Sequence, residues 1–280
     1  MRRFETLLTC ALLVGCAHKA APTSGSEASA AASPSTSAVA AVDPLALVIA
    51  NPTRLEKNRA RDGARHPYET LSFFGVQPSQ HVVELWPGGG WYTELLAPLL
   101  REQGKLSAVA ATGPYLQPYK DFLATRTDVY DRVTLVEVSP PASLNLGPDG
   151  SADVVLTFRN LHGWVGGGYA EQLHQAVFRV LKPGGVFGIV EHRAQPGTAP
   201  DAFAKTGYVT EEAAIAMATQ AGLVLEERSE VNANPKDTKD HPNGVWSLPP
   251  SLRGGDVDRE KFVAIGESDR MTLRFRKPVQ

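Results

Sequence analysis

Cysteine is nearly missing from this chain: two occur, Cys10 and Cys16, both close to the N-terminus. A disulfide framework or a cysteine-based metal centre in the long remainder is therefore excluded. A basic stripe is missing too, since 28 Lys and Arg are interspersed with 30 Asp and Glu. That balance excludes an electrostatic nucleic-acid binder, and no nucleic-acid partner is expected. The apolar stretch at residues 7–14 is too short to cross a bilayer. His66, His162, His192 and His241 lie far apart with no short ligand spacing, so no metal is expected.

What is present begins with an address. Arg2-Arg3 precede the apolar stretch, which ends in Leu13-Val14-Gly15-Cys16. This resembles the lipobox of bacterial lipoproteins, where a small residue precedes a cysteine that becomes lipidated and forms the mature N-terminus. The resemblance implies a signal peptide over residues 1–15, lipidation at Cys16 and membrane attachment through it. Residues 16–42 are rich in Ala, Ser and Pro, with too little apolar mass to fold, and are expected to act as a tether. The location that follows is the bacterial cell envelope, lipid-anchored and periplasm-facing, where nucleotide-like cofactors are not normally supplied.

Residues 43–280 read as one α/β domain. Apolar runs at residues 81–85, 105–111, 133–138, 151–158 and 186–190 read as buried strands, and residues 223–231 and 271–276 as the last two. Between them lie helical stretches at 91–101, 114–124, 168–181 and 211–221, with Pro98 expected to kink or shorten the first. Three further helices are expected before them, from Asp43-Pro44, over residues 53–60 and over residues 69–74, the last closed by Gly75. Alternating strands and helices imply a doubly wound, mostly parallel sheet, whose ligands bind beyond the carboxyl ends of the strands.

Polar residues gather at those ends. Glu84-Leu85-Trp86-Pro87-Gly88-Gly89-Gly90 reads as strand, turn and helix start, with glycines that let backbone approach a ligand. Arg159, Asn160 and His162 follow the fourth strand, and Glu191 and His192 end the fifth. His162 or His192 can act as a base near neutral pH, or simply hydrogen-bond its loop. Residues 59–68 hold Arg59, Arg61, Asp62, Arg65 and His66. They read either as a solvated charged loop or as a lid with Arg65 and His66 turned inward. The long Pro- and Gly-containing connection at 232–269 reads as a lid, a binding loop or disordered chain, with Asp240-His241-Pro242 in a solvated turn. Trp86, Trp91, Trp164 and Trp246 are candidates for an aromatic wall, Trp91 more readily as core.

Three motifs together resemble the class I S-adenosylmethionine-dependent methyltransferases. They are residues 84–90, the fourth-strand sequence Ser151-Ala152-Asp153-Val154-Val155-Leu156, and the run from Leu173 through Lys182-Pro183-Gly184-Gly185 to Phe187. The resemblance covers about residues 65–230 and implies a Rossmann-like, seven-stranded sheet with one antiparallel strand. It implies S-adenosylmethionine as cofactor, held by Glu84, Trp86, Gly88, Gly89 and Gly90. The catalytic candidates facing a small-molecule acceptor are then His162, Asn160, Arg159, His192, Glu191, Arg65 and His66. Departures from the pattern are specific. Trp86 stands at the family's first glycine, where an indole crowds the donor's amino-acid end. No acid lies between Glu102 and Asp121, where the family binds the ribose diol, and the third strand ends Ser139-Pro140-Pro141 without an acid. These departures leave an alternative: a lipoprotein of methyltransferase fold that transfers no methyl group and binds another small ligand or an envelope partner.

Overall fold

The computed structural model describes residues 43–279. The expected signal peptide, Cys16 and tether lie outside the described residues. In chain order, the strands are β1 (His81–Leu85), β2 (Lys105–Ala111), β3 (Thr134–Val138), β4 (Ala152–Phe158), β5 (Leu181–His192), β6 (Val224–Ser229) and β7 (Arg270–Arg276). They form one sheet in the order β3-β2-β1-β4-β5-β7-β6. Pairing is parallel from β3 through β5, with Val83 opposite Val155 across β1 and β4. Strand β7 runs antiparallel to both β5 and β6, with Ile189 opposite Leu273. The strand order reverses between β1 and β4, because the chain winds first toward β3 and then toward β6. A crevice opens at such a reversal, beyond the carboxyl ends of the two strands.

Successive side chains of a strand point to opposite faces, so each strand feeds two cores. Val83, Leu85, Val155, Phe187 and Ile189 face one layer. That layer is built from α8 (Leu161–Gly166), α9 (Ala170–Val180), α10 (Phe203–Thr206) and α11 (Glu211–Gln220). Val82, Leu106, Val154, Leu156 and Val190 face the other. Its helices include α1 (Pro44–Ala50), α4 (Pro67–Phe73) and α5 (Thr93–Leu100). Each fully buried aliphatic side chain contributes about 1.5–3 kcal/mol. The remaining helices are α2 (Glu56–Arg59), α3 (Asp62–Arg65), α6 (Leu116–Ala124), α7 (Thr127–Tyr130) and α12 (Arg259–Ile265). Among the described residues no helix is long and apolar enough to cross a membrane.

Several elements differ from the sequence expectation, each for a physical reason. Residues 59–68 are no solvated loop: α3 packs Arg65 inward, and His66 turns the chain with φ 42° so that Pro67 can start α4. The helix expected at 53–60 is cut to α2, because the Asn51 side chain accepts the Thr53 N–H in a turn. Residues 161–166, for which the sequence suggested no element, form α8, since Leu161 and Trp164, three apart, both bury. Residues 182–185, between the expected helix and strand, form a bulge within β5, where register jumps from Ala152↔Leu181 to Val154↔Val186 and Gly184 takes φ 77°. Pro98 sits inside α5 without ending it. The connection at 232–269 is folded, with a 3-10 turn at Gly244–Ser247 and α12 anchored by buried Phe262. His241 is not solvated either: its Nε2 lies 2.8 Å from Oδ1 of buried Asp237, which also accepts the Tyr208 hydroxyl at 2.9 Å.

Candidate functional site

Two adjoining cavities open at the strand reversal. The larger has a volume of about 510 Å³ and the smaller about 310 Å³. Trp86, Pro87, Gly88, Arg159, Asn160 and His162 border both. These residues leave the ends of β1 and β4, so the sheet places them together although they are more than seventy positions apart. Trp86 and Arg159 are both left-handed there, at φ 49° and 65°. Such conformations persist in residues with a Cβ only where the surroundings enforce them. Here the Trp86 N–H donates to Val109 O at 2.8 Å and the Arg159 N–H to Val190 O at 2.7 Å, tying each turn to the neighbouring strand. The Trp86 side chain borders both cavities. Its indole leans on Trp164, with ring centroids 5.5 Å apart, and on Tyr169 at 6.3 Å, and becomes a wall between the two cavities. Trp164 itself is buried behind that wall, while Trp91 and Trp246 line the larger cavity.

The glycines divide. A Cβ at Gly88 or Gly89 would meet nothing within 4 Å, so this backbone is bare toward the cavity. A Cβ at Gly90 would stand 2.2 Å from the Phe122 ring, and Gly90 has φ 78°. Gly90 is thus required by packing under the turn and does not border either cavity. Glu84 is buried at the end of β1 and accepts the Thr93 hydroxyl at 2.6 Å, which joins the turn to α5. Burial pushes the Glu84 carboxyl up to about 7, against the opposing hydrogen bonds from Thr93.

His162 faces both cavities with a fixed orientation. Buried Glu191 accepts the main-chain N–H of Leu161 at 2.6 Å and of His192 at 2.9 Å, and its Oε1 lies 3.1 Å from His162 Nδ1. A carboxylate there selects the tautomer with the proton on Nδ1, leaving the Nε2 lone pair for another partner. Glu191 does not border the cavity; it positions His162. His192 borders the larger cavity, its Nδ1 2.5 Å from Ser268 Oγ. Burial, then the neighbouring His162 and arginines, hold His192 well below the usual histidine range, so the ring that shares a hydrogen bond with Ser268 is neutral. Asn160 donates its amide to Leu85 O at 3.1 Å and to Thr157 Oγ1 at 3.0 Å, which ties the end of β4 to β1.

Arg65 borders the larger cavity, and His66 borders neither; its αL backbone caps α4 instead. Around Arg65 the structure gathers Arg61 from the same charged segment and four residues that sequence reading missed: Lys57, Tyr92, Glu267 and Ser268. Glu267 Oε1 pairs with Arg61 Nε at 2.6 Å, and Oε2 lies 3.2 Å from Arg270 Nη1 and 3.4 Å from Arg65 Nε. Burial opposes ionisation, but Arg65, Arg270 and Arg61 together hold the Glu267 carboxyl down at about 2. Burial and then Arg159 lower the Arg65 guanidinium to about 8, and burial lowers Arg159 to about 10. The arginine density at residues 59–65 was a visible signal. Glu267 and Ser268, two hundred positions later, carried none. Among the described residues no group of three His, Cys, Asp or Glu side chains is placed to hold a metal ion.

A parallel sheet with a final antiparallel hairpin, a glycine turn after β1 and a cavity at the β1–β4 reversal define the class I methyltransferase fold. Solved structures agree. A methyltransferase dependent on S-adenosylmethionine from Aquifex aeolicus matches with a TM-score of 0.53 at 15% identity, over 84% of this chain and 98% of that one. The [4+2]-cyclase SpnF matches with 0.55 at 18%, over 78% and 81%. The geranyl diphosphate C-methyltransferase of Streptomyces coelicolor A3(2), solved with Mg2+, geranyl diphosphate and S-adenosyl-L-homocysteine, matches with 0.51 at 11%, over 82% and 87%. At these identities the likeness establishes the fold. No protein-family model matches the chain, and no curated protein matches it in sequence.

Proposed function

We propose that this chain is an S-adenosylmethionine-dependent methyltransferase acting on a small-molecule acceptor. The observation that carries the reading is the pair of cavities joined at Trp86, Gly88 and His162 at the strand reversal. The residues present fit the donor in part. Gly88 and Gly89 offer bare backbone, and Glu84 holds the turn through Thr93. Glu84, Trp86, Gly88 and Gly89 would hold the donor; Gly90 would not touch it. When bound, the donor supplies a methyl group activated on a sulfonium sulfur. The chain's own contribution is orientation and proton removal. Trp86, Trp91 and Trp246 give the cleft an aromatic side, and His162 Nε2, set by Glu191, takes a proton from an acceptor nucleophile.

A specific observation favours a second reading, a protein of this fold that transfers no methyl group. No residue lining the smaller cavity carries a carboxylate. At the ends of β2 and β3 only the Thr112 and Ser139 hydroxyls meet, 3.1 Å apart. A ribose diol there lacks a charged acceptor, which weakens binding by about 1.5–3 kcal/mol. One structure with this fold is described as a cyclase, and one fold hosts many chemistries.

The address completes the proposal: the activity belongs to the bacterial envelope, with the chain anchored through lipidated Cys16 and a tether to residue 42. The sequence Leu13-Val14-Gly15-Cys16 supports it. Isothermal titration of the full-length chain with S-adenosylmethionine and S-adenosylhomocysteine tests the first reading. Saturable heat with both ligands is expected. Silence at about 1 mM ligand, a bound of roughly −4 kcal/mol, abandons methyl transfer for the second reading.

A further inference from the structure

Arg65 is 1% exposed, yet neither of its terminal nitrogens, Nη1 and Nη2, has a hydrogen-bond partner. A buried guanidinium normally has its donors satisfied, because leaving them bare forfeits their hydration. Arg65 is held in place regardless. Its Cζ lies 4.6 Å from the centre of the Trp91 ring, and its Nε faces Glu267 Oε2 at 3.4 Å. Both nitrogens are closed to solvent at the border of the larger cavity, so a ligand seated there reaches them once the side chain turns toward it. Arg61 adds an unpaired buried Nη2. Arg159 borders both cavities and, among the described residues, feels its neighbours only through space, without a side-chain hydrogen bond.

The charge count points the same way. The guanidinium groups of Arg61, Arg65 and Arg270 surround the carboxylate of Glu267, and Arg159 feels it through space; Glu84, the other acid bordering the cavity, is raised to about 7 by burial and carries only part of a charge at neutral pH. Asp62 and Asp269 do not redress this, since Arg54 takes the first and Arg193 and Lys239 take the second. One carboxylate cannot neutralise this wall. S-adenosylmethionine cannot either: its carboxylate is cancelled by its ammonium, and the sulfonium leaves the donor with a net positive charge. Bringing that cation against an uncompensated cationic wall is unfavourable at low effective dielectric. An anion arriving with the second substrate balances both.

We propose that the larger cavity is an acid-recognition site: Arg65 and Arg159, assisted by Arg61, bind the carboxylate or phosphate of the acceptor, whose apolar body lies against Trp91 and Trp246. Planar guanidinium forks match those groups in a bidentate way, which a lysine could not reproduce. The inference rests on reading the joined cavities as donor and acceptor compartments.

Benzoate, its neutral isostere benzamide, and inorganic phosphate serve as probes in calorimetry on the full-length chain, with and without saturating S-adenosylhomocysteine. Benzoate and phosphate are expected to bind at about 1 mM or tighter, and benzamide at least tenfold more weakly. Arg65→Gln and Arg159→Gln are each expected to weaken benzoate about tenfold or more, as loss of a charged hydrogen bond implies. Two variants are used so that a folding failure in one leaves the other informative. Saturating S-adenosylhomocysteine is expected to leave benzoate affinity intact. Competition between the two overturns the proposal, because the forks then hold the donor's own carboxylate. Equal binding of benzamide, or no acid binding, overturns it as well. If acids bind through Arg65 while S-adenosylhomocysteine does not bind at all, the methyltransferase reading fails and the acid site stands.

Discussion

Glu191 Oε1 lies 3.1 Å from His162 Nδ1 while the same carboxylate accepts the Leu161 and His192 main-chain N–H groups. The carboxylate is thus fixed by backbone and in turn fixes the imidazole. Glu191→Gln keeps the shape but replaces one acceptor oxygen with a donor. Nitrogen-15 spectra are expected to show His162 protonated on Nδ1 in the wild type and a mixture of tautomers in the variant. Any turnover should fall about a hundredfold or more, the usual worth of a correctly set general base. An unchanged tautomer would refute the positioning role.

Gly89 and Gly90 are neighbours with opposite requirements. Gly90→Ala places a Cβ 2.2 Å from Phe122 at φ 78° and is expected to cost about 1–3 kcal/mol, read as a lower melting temperature. Gly89→Ala meets open space and should leave the melting temperature within about a degree, because no contact is lost. The same change projects into the cavity, so S-adenosylhomocysteine should bind more weakly to it than to the wild type in titration.

Two buried carboxyls give stability opposite pH slopes. Glu84 is raised to about 7 in the folded state, so the folded chain holds a proton that the unfolded chain releases near 4.5. Its contribution is present below 4.5 and is lost as pH rises to about 7, on the order of 3 kcal/mol at most. Glu267, held at about 2, contributes stability above 4.5 that disappears as pH falls toward 2. Denaturant titrations across pH are expected to show Glu84→Gln flattening the first slope and Glu267→Gln the second. Identical profiles for Glu84→Gln and wild type would remove the buried-proton assignment.

Cys16 carries the proposed anchor. Cys16→Ser should move the protein from the membrane fraction to the soluble fraction, and mass spectrometry should find the lipid on wild-type chain alone. Unchanged fractionation contradicts the anchor.

The strands were legible because each is a short, continuous apolar run bounded by turn residues, as in residues 81–85 and 152–158. The cluster at Trp86, Gly88, Arg159 and His162 was legible because topology sends every parallel strand's carboxyl end to one edge. Helix α8 and the bulge at Gly184 were not, since both depend on what a half-polar segment meets when it packs. Glu191 was visible as a polar strand end, but its role as the holder of His162 depends on a distance no spacing encodes.

Sequence alone determined the alternation of strands and helices, the glycine turn, the scarcity of cysteine and the absence of an acid after β2, because these depend only on local residue chemistry. Tertiary structure decided the rest. It swung the indole of Trp86 onto Trp164 and Tyr169, gave Gly90 to Phe122 and brought Glu267 from the far end of the chain to Arg61 and Arg65. Burial and long-range charge set whether a residue is a wall, a prop or a binding group, and both arise only once distant segments are packed together.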